Sequence, residues 1–186
     1  MHGQRQDNSR CNLFYKPTLR FLDRTNLVVT ALTAFTVLYT RSAGVAYFSA
    51  GALACAMSVK AIKPFFRQTR PAQTTQRKQK QTYGMPSTHS ATITFYGTYI
   101  PLACAWLPSH PSFPQTSLFR PLVLLVVVPW AFAIAGSRVW LGHHTVPQVA
   151  VGCAYGFAFS CVWFWLWTHG LGVNHGATHA SALWEK

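Results

Sequence analysis

The chain carries little charge, and almost none of it is negative. Asp and Glu together number 3 against 16 Lys and Arg, and charged residues make up 10% of the 186. An ordinary soluble domain carries about a quarter. With half of the residues apolar, too little polar surface remains to clothe a soluble helical bundle. The cysteines show no metal-binding pattern, and His169, His175 and His179 among the glycines after Trp167 read as a loose polar tail rather than a metal site. No CxxC pair or Cys/His spacing joins Cys11, Cys55, Cys104, Cys153 and Cys161. The last four lie within apolar runs and read as small buried hydrophobes, so neither a redox compartment nor a metal site is indicated, and no cofactor is expected. No long polar linker divides the chain, which favours one domain. The first 25 residues hold no apolar core and no small-residue cleavage site, so no cleaved signal peptide is expected. No internal repeat is present.

What the chain does have is a series of apolar runs: Leu27–Tyr39, Ala43–Ile62, Thr88–Leu107, Leu118–Ala135 and Pro147–Trp167. Crossing the hydrocarbon core takes about 20 helical residues. The last four runs approach that length and the first is short. The expected fold is therefore all-α, a polytopic membrane helical bundle with about five transmembrane helices. A basic polar tail over 1–26 precedes a membrane-embedded domain over 27–168, and a polar tail over 169–186 follows it. Trp163, Trp165 and Trp167 crowd one end of the last run, as in an interfacial aromatic belt. Gly152 and Gly156 have the GxxxG spacing that lets a second helix come close. The basic excess fits nucleic acid, anionic lipid or an anionic substrate. The cations cluster in the N-terminal tail and in a polar loop, residues 63–86, bearing Arg67, Arg70, Arg77, Lys78 and Lys80. They do not spread over a polar face, which argues against nucleic acid and for the lipid bilayer and a phosphate-bearing substrate within it.

Three clusters at the edges of these runs carry possible chemistry. Phosphoryl transfer places negative charge on three equatorial oxygens, and catalysis consists mostly of positioning and stabilising that charge. Lys63, Arg70 and Arg138 could supply the balancing cations; alternatively each snorkels to lipid headgroups. Pro86-Ser87-Thr88-His89 reads as a helix start with Ser87 as N-cap, and a helix N-terminus suits an anion. His89 then falls in the first turn, placed to protonate a leaving oxygen, unless it is only an interfacial histidine. In Ser137-Arg138-Val-Trp-Leu-Gly-His143-His144-Thr-Val-Pro147-Gln148, Pro147 suits the first turn of the last helix. His144 lies just before it, and Gln148 about one turn along could hold one imidazole nitrogen while the other attacks phosphorus. His143 competes for that role.

Taken together, Lys63-x6-Arg70-Pro71, Pro86-Ser87-x-His89 and Ser137-Arg138-x5-His144 resemble the tripartite signature of the type 2 phosphatidic acid phosphatase and vanadium haloperoxidase superfamily. Tyr83-Gly84-Met85-Pro86-Ser87-Thr88-His89-Ser90 and the stretch from Ser137 to Val149 look most like the dolichyl-diphosphate phosphatases of the endoplasmic reticulum. The resemblance implies an integral-membrane lipid phosphatase, with an isoprenoid diphosphate as substrate. His144 would form a phosphohistidine and His89 would protonate the leaving group. Lys63, Arg70 and Arg138 would bind phosphoryl oxygens, with Ser87 and the amide near Thr88 assisting, and no metal would be needed. Two positions depart from the pattern: Thr88 stands where Gly is common, and Gln148 where Asp is common. Phosphatidate and other lipid phosphates are alternative substrates, a vanadate-dependent haloperoxidase could use the same anion pocket, and a catalytically silent lipid-binding protein is the reading from another class. In a five-span arrangement every Lys and Arg except Arg41, Arg120 and Lys186 falls on the site-bearing face. The positive-inside rule places that face in the cytosol, whereas the resemblance implies the lumen. Nothing in the sequence fixes an oligomeric state.

Overall fold

The computed structural model describes residues 25–69 and 83–171. Most of the two expected tails (1–24 and 172–186), and Arg70, Arg77, Lys78 and Lys80 of the polar loop, lie outside the described residues. The described residues form five α-helices and no strand: α1 Thr25–Thr40, α2 Ala43–Phe66, α3 Thr88–Trp106, α4 Phe119–Trp140 and α5 Val146–Leu166. A π-helical turn, Trp167–Leu171, continues α5.

Helix boundaries follow local chemistry. Arg41, in the left-handed region at φ 49°, turns the chain between α1 and α2. Ser87 caps α3 by accepting the Ser90 amide, as its residue type predicts. Gly142, at φ 69°, takes the left-handed position just past the end of α4, where a Cβ would cost most. Two expectations need correction. The polar loop does not begin at residue 63, because α2 runs on through Pro64 to Phe66. Likewise α4 continues past Ala135 to Trp140, so Ser137 and Arg138 belong to a helix rather than to a connection. In both cases a cation marked the membrane edge, and the helix simply continues beyond that edge.

Three helices are long and apolar enough to cross a membrane: Ala43–Phe66, Phe119–Trp140 and the α5 helix with its extension, Val146–Gly170. The apolar stretch Leu27–Thr40 is shorter. Helix α3 has 19 residues but is richer in hydroxyl groups, with Thr88, Ser90, Thr92, Thr94 and Thr98. It tolerates them because it is the central helix, packed against α2, α4 and α5. The outward faces are apolar: Leu32, Phe35, Leu38, Leu53, Leu125 and Phe132 are all exposed. In water such a surface would aggregate; in a bilayer it meets hydrocarbon.

The interior holds two clusters. One joins Cys55 and Val59 of α2, Ala91, Phe95 and Tyr99 of α3 and Phe164 of α5. The other joins Ile93 to Ile134 and Ala135. Between α3 and α5 the contact is closer still. A Cβ on Gly152 would lie 2.7 Å from the Ser87 carbonyl oxygen, and one on Gly156 would run into the Ala91 carbonyl. Ser160 donates to the Phe95 carbonyl at 3.4 Å. Residues 152, 156 and 160 thus face 87, 91 and 95 in rising order, so the two helices are parallel and their N-termini share one end of the bundle. The GxxxG expectation is met, with α3 as its partner. The three tryptophans of the last run differ in their surroundings. Trp165 is exposed, but Trp163 donates to the Tyr47 carbonyl at 3.1 Å and stacks on the Tyr47 ring, and Trp167 packs on the same ring.

Helices α2 and α4 run the other way, which brings their C-termini to the end where α3 and α5 begin. At the far end Arg120 closes α3, donating to the carbonyls of Cys104 (2.8 Å) and Leu107 (3.0 Å) and to Ser109 Oγ. Replacing Arg120 with Met should cost about 2 kcal/mol for the lost charge-assisted bonds, seen as a lower midpoint of thermal unfolding in detergent. Turnover should not change, because the length of α3, roughly 28 Å, separates Arg120 from the other end. A groove of about 720 Å³ runs between α1, α3 and α4, with Leu32, Ile93, Tyr96, Ile100, Val123 and Val127 in its walls.

Candidate active site

Four helix ends meet at one face of the bundle. The C-termini of α2 and α4 bring Lys63 and Arg138, and the N-termini of α3 and α5 bring Ser87, Thr88, His89 and Gln148. Two N-terminal dipole ends, each equivalent to roughly half a positive charge, therefore lie beside two cationic side chains. The third expected cation, Arg70, lies outside the described residues, although the chain is traced to Thr69 immediately before it.

The polar residues here are buried to a degree that edge residues anchored in headgroups are not. Arg138 is 2% exposed, His144 4%, Gln148 2% and Ser87 0%. Lys63 is buried too, and its ammonium donates to the Tyr83 carbonyl at 3.3 Å. His89 is exposed on the first turn of α3, and Thr88 is half-buried. The Ser87 hydroxyl accepts from the Ser90 amide (3.4 Å) and from the Ser90 hydroxyl (2.9 Å), which leaves its own hydrogen as the group it can offer an anion.

His144 is held through both backbone and side chain. Its amide and that of His143 donate to the Arg138 carbonyl, at 3.2 and 3.0 Å, so the short connection after α4 folds back and fixes the imidazole relative to the arginine. Nδ1 of His144 lies 3.2 Å from Gln148 Oε1. The same oxygen accepts the Thr145 amide at 3.3 Å, one half of a capping-box arrangement at the start of α5. The Gln148 amide nitrogen donates to the Thr69 carbonyl at 3.0 Å. These two bonds set which way round the amide lies. Its oxygen faces the imidazole and can only accept, so Nδ1 is the ring nitrogen that donates to it. His143, half-buried one residue earlier, is not the imidazole that Gln148 holds.

The α3 and α5 ends are tied directly by the Ser87 amide, which donates to the Gln148 carbonyl at 3.1 Å. The Gly84 amide donates to the Gln68 carbonyl at 2.7 Å, joining the residues on either side of 70–82. Among the described residues no group of three His, Cys, Asp or Glu side chains is placed to hold a metal ion. Sequence reasoning brought Lys63, Ser87, Thr88, His89, Arg138, His144 and Gln148 to one end of the fold. It missed Thr145, whose spacing to Gln148 is a readable capping signature, and it missed Thr69 and Gly84, whose parts appear only when residues distant in sequence meet.

Relatives include lipid phosphate phosphatase gamma of Arabidopsis thaliana, 32% identical over 108 residues, covering 56% of this chain and 45% of that one. The dolichyldiphosphatase of Saccharomyces cerevisiae is 30% identical over 109 residues, covering 56% and 44%. A putative dolichyldiphosphatase of Neurospora crassa is 28% identical over 177 residues, covering 67% and 62%. The chain spans about half the length of the curated relatives it matches. Among solved structures, the transmembrane phosphatidylglycerolphosphate phosphatase of Bacillus subtilis superposes with a TM-score of 0.62 at 17% identity, covering 81% of this chain and 75% of that one, a likeness of fold. The PAP2 superfamily model matches residues 39–170, from the end of α1 through the turn after α5 and across all three basic and histidine-bearing clusters, and the chain belongs to that family.

Proposed function

We propose that this chain is an integral-membrane lipid phosphatase that hydrolyses an isoprenoid diphosphate through a phosphohistidine on His144. The observation that carries the reading is the buried His144 imidazole, whose Nδ1 lies 3.2 Å from Gln148 Oε1, which assigns the attack to Nε2. Nε2 attacks the terminal phosphorus, the bond to the bridging oxygen breaks, and its electron pair leaves with the lipid monophosphate as His89 gives that oxygen a proton. Water then attacks the phosphorus of the phosphohistidine, the P–N bond breaks, and inorganic phosphate departs with the proton passing to His89. Lys63, Arg70, Arg138 and the N-termini of α3 and α5 balance the charge that grows on the equatorial oxygens. These groups supply what a metal ion would otherwise provide, so the route needs none.

The isoprenoid substrate rests on the dolichyldiphosphatase relatives and on the Tyr83–Ser90 and Ser137–Val149 stretches, and it favours a location in the endoplasmic reticulum. The groove beside α3 begins roughly 9 Å along that helix from Ser87 and gives a hydrocarbon tail somewhere to lie. The Arabidopsis relative supports a second reading, in which another lipid phosphate is the preferred substrate.

Purified protein in detergent should release phosphate from dolichyl diphosphate in the presence of a chelator. Acid-labile, base-stable phosphate should be trapped on His144 by rapid quenching. Loss of activity to the chelator with rescue by Mg²⁺, or phosphate trapped on His143 instead, would sink the proposal. A panel that includes phosphatidate separates the two substrate readings.

A further inference from the structure

We infer that this site is built around a neutral amide at position 148, and that Gly84 is a positioning residue which holds that amide against His144. The inference rests on the reading of His144 as nucleophile. A Cβ on Gly84 would lie 2.6 Å from Gln148 Nε2, 2.8 Å from Oε1 and 2.9 Å from Cδ. The backbone at residue 84 therefore lies flat against the whole amide, closer than any side chain would permit. Gly84 cannot retreat freely, because its own amide is bound to the Gln68 carbonyl at 2.7 Å.

Around its edge the amide meets two kinds of partner. On the Oε1 side are two donors, the Thr145 amide at 3.3 Å and His144 Nδ1 at 3.2 Å. On the Nε2 side are two acceptors, the Thr69 carbonyl at 3.0 Å and Gln68 Oε1 at 3.5 Å. Only a group that accepts at one end and donates at the other satisfies both sides. A carboxylate has no hydrogen to give. Although it would hold an imidazolium more strongly, one of its oxygens would face the Thr69 carbonyl in a site that is 2% exposed at residue 148, and two buried acceptors would be left in repulsion. A charged residue would thus bind His144 better and fit its own surroundings worse. The Thr69 carbonyl decides the balance, since it also fixes the backbone directly before Arg70.

Two variants test this. Gly84→Ala should push the amide aside and lengthen its bond to Nδ1. It should lower kcat roughly ten- to a hundredfold, as misplacement of a catalytic group by about 1 Å does, while KM and inhibition by inorganic phosphate stay within about twofold because the cationic side chains are untouched. Gln148→Glu keeps the shape but is ionised at neutral pH. It should be at least about tenfold slower than wild type there. As the pH falls and the buried carboxyl takes up a proton, its new O–H can donate to Thr69, so its activity relative to wild type should recover. A purely structural role for these residues would not produce that acid-side recovery. Gln148→Glu at or above wild-type activity at neutral pH overturns the inference, and so does Gly84→Ala with wild-type kcat. If Gly84→Ala does not give a monodisperse protein, the Gln148→Glu pH profile decides alone. Phosphohistidine trapped in the wild type together with either overturning result means that this inference fails and the His144 reading stands. No phosphohistidine in the wild type means that the reading beneath it has failed.

Discussion

Alanine at position 144 is expected to reduce phosphate release by about 10⁴- to 10⁶-fold, the range in which removal of an attacking group falls. Among the described residues no other imidazole is held by Gln148. His143 has its backbone pinned to the same Arg138 carbonyl, but it is not the imidazole that meets Gln148. Water entering the vacated space would have no base held in the correct tautomer. The cations and helix ends would still bind the phosphate, so KM should change far less than kcat. On the proposed assignment, His143→Ala should stay within about fivefold of wild type, because Gln148 holds the His144 ring. Single-turnover release from dolichyl diphosphate measures both variants, and matched thermal unfolding shows that the fold survives. Should the alanine variant at 144 keep more than about a hundredth of normal turnover, the nucleophile lies elsewhere.

The second large effect concerns stability. Gly156→Val should prevent the bundle from assembling, because its Cβ would occupy the space of the Ala91 carbonyl on α3, with the Ala91 carbonyl carbon and Cα only 2.8 and 2.9 Å away. Replacing a helical glycine ordinarily favours the helix, by up to about 1 kcal/mol. Overpacking against a side chain that can rotate costs about 1–3 kcal/mol. Here the obstacle is backbone in the central helix, which cannot turn aside, so the clash is expected to exceed the propensity gain by on the order of 3 kcal/mol. The observable is loss of the monodisperse peak in detergent, or a drop in thermal midpoint well beyond that of Arg120→Met. Gly142→Ala, where nothing lies within 4 Å, tests backbone conformation alone and should cost only about 1 kcal/mol.

Much of this was legible in the sequence because membrane helices and helix ends have strong local signatures. The apolar runs gave the helices, and Ser87 and Pro147 gave the starts of α3 and α5. The histidine at 144 and the glutamine at 148 come together because one turn of helix separates them. The ends of α2 and α4 were harder to read. Lys63 and Arg138 looked like loop residues, since charge and the end of a helix usually coincide at a membrane edge, yet here each helix extends beyond its cation. Trp163, read as an interfacial residue, also packs on Tyr47, which periodicity could not show, because it places a ring on a face without saying what covers that face. The parts played by Thr69 and Gly84 could not be read locally at all. Each depends on a partner about 80 or 64 positions away, a separation over which no pattern of spacing operates.

The stepwise match of 152, 156 and 160 against 87, 91 and 95 acts as a rack between α3 and α5. A rack of this kind resists sliding: two notches are backbone against a missing side chain, the third is the Ser160 hydrogen bond to the Phe95 carbonyl, and the next favourable setting is a full turn, about 5.4 Å, away. The heads of the two helices, with His89 on one and Gln148 on the other, are therefore held at a fixed axial offset. Any widening of this end of the bundle is therefore expected from the helices that flank the pair rather than from the pair itself.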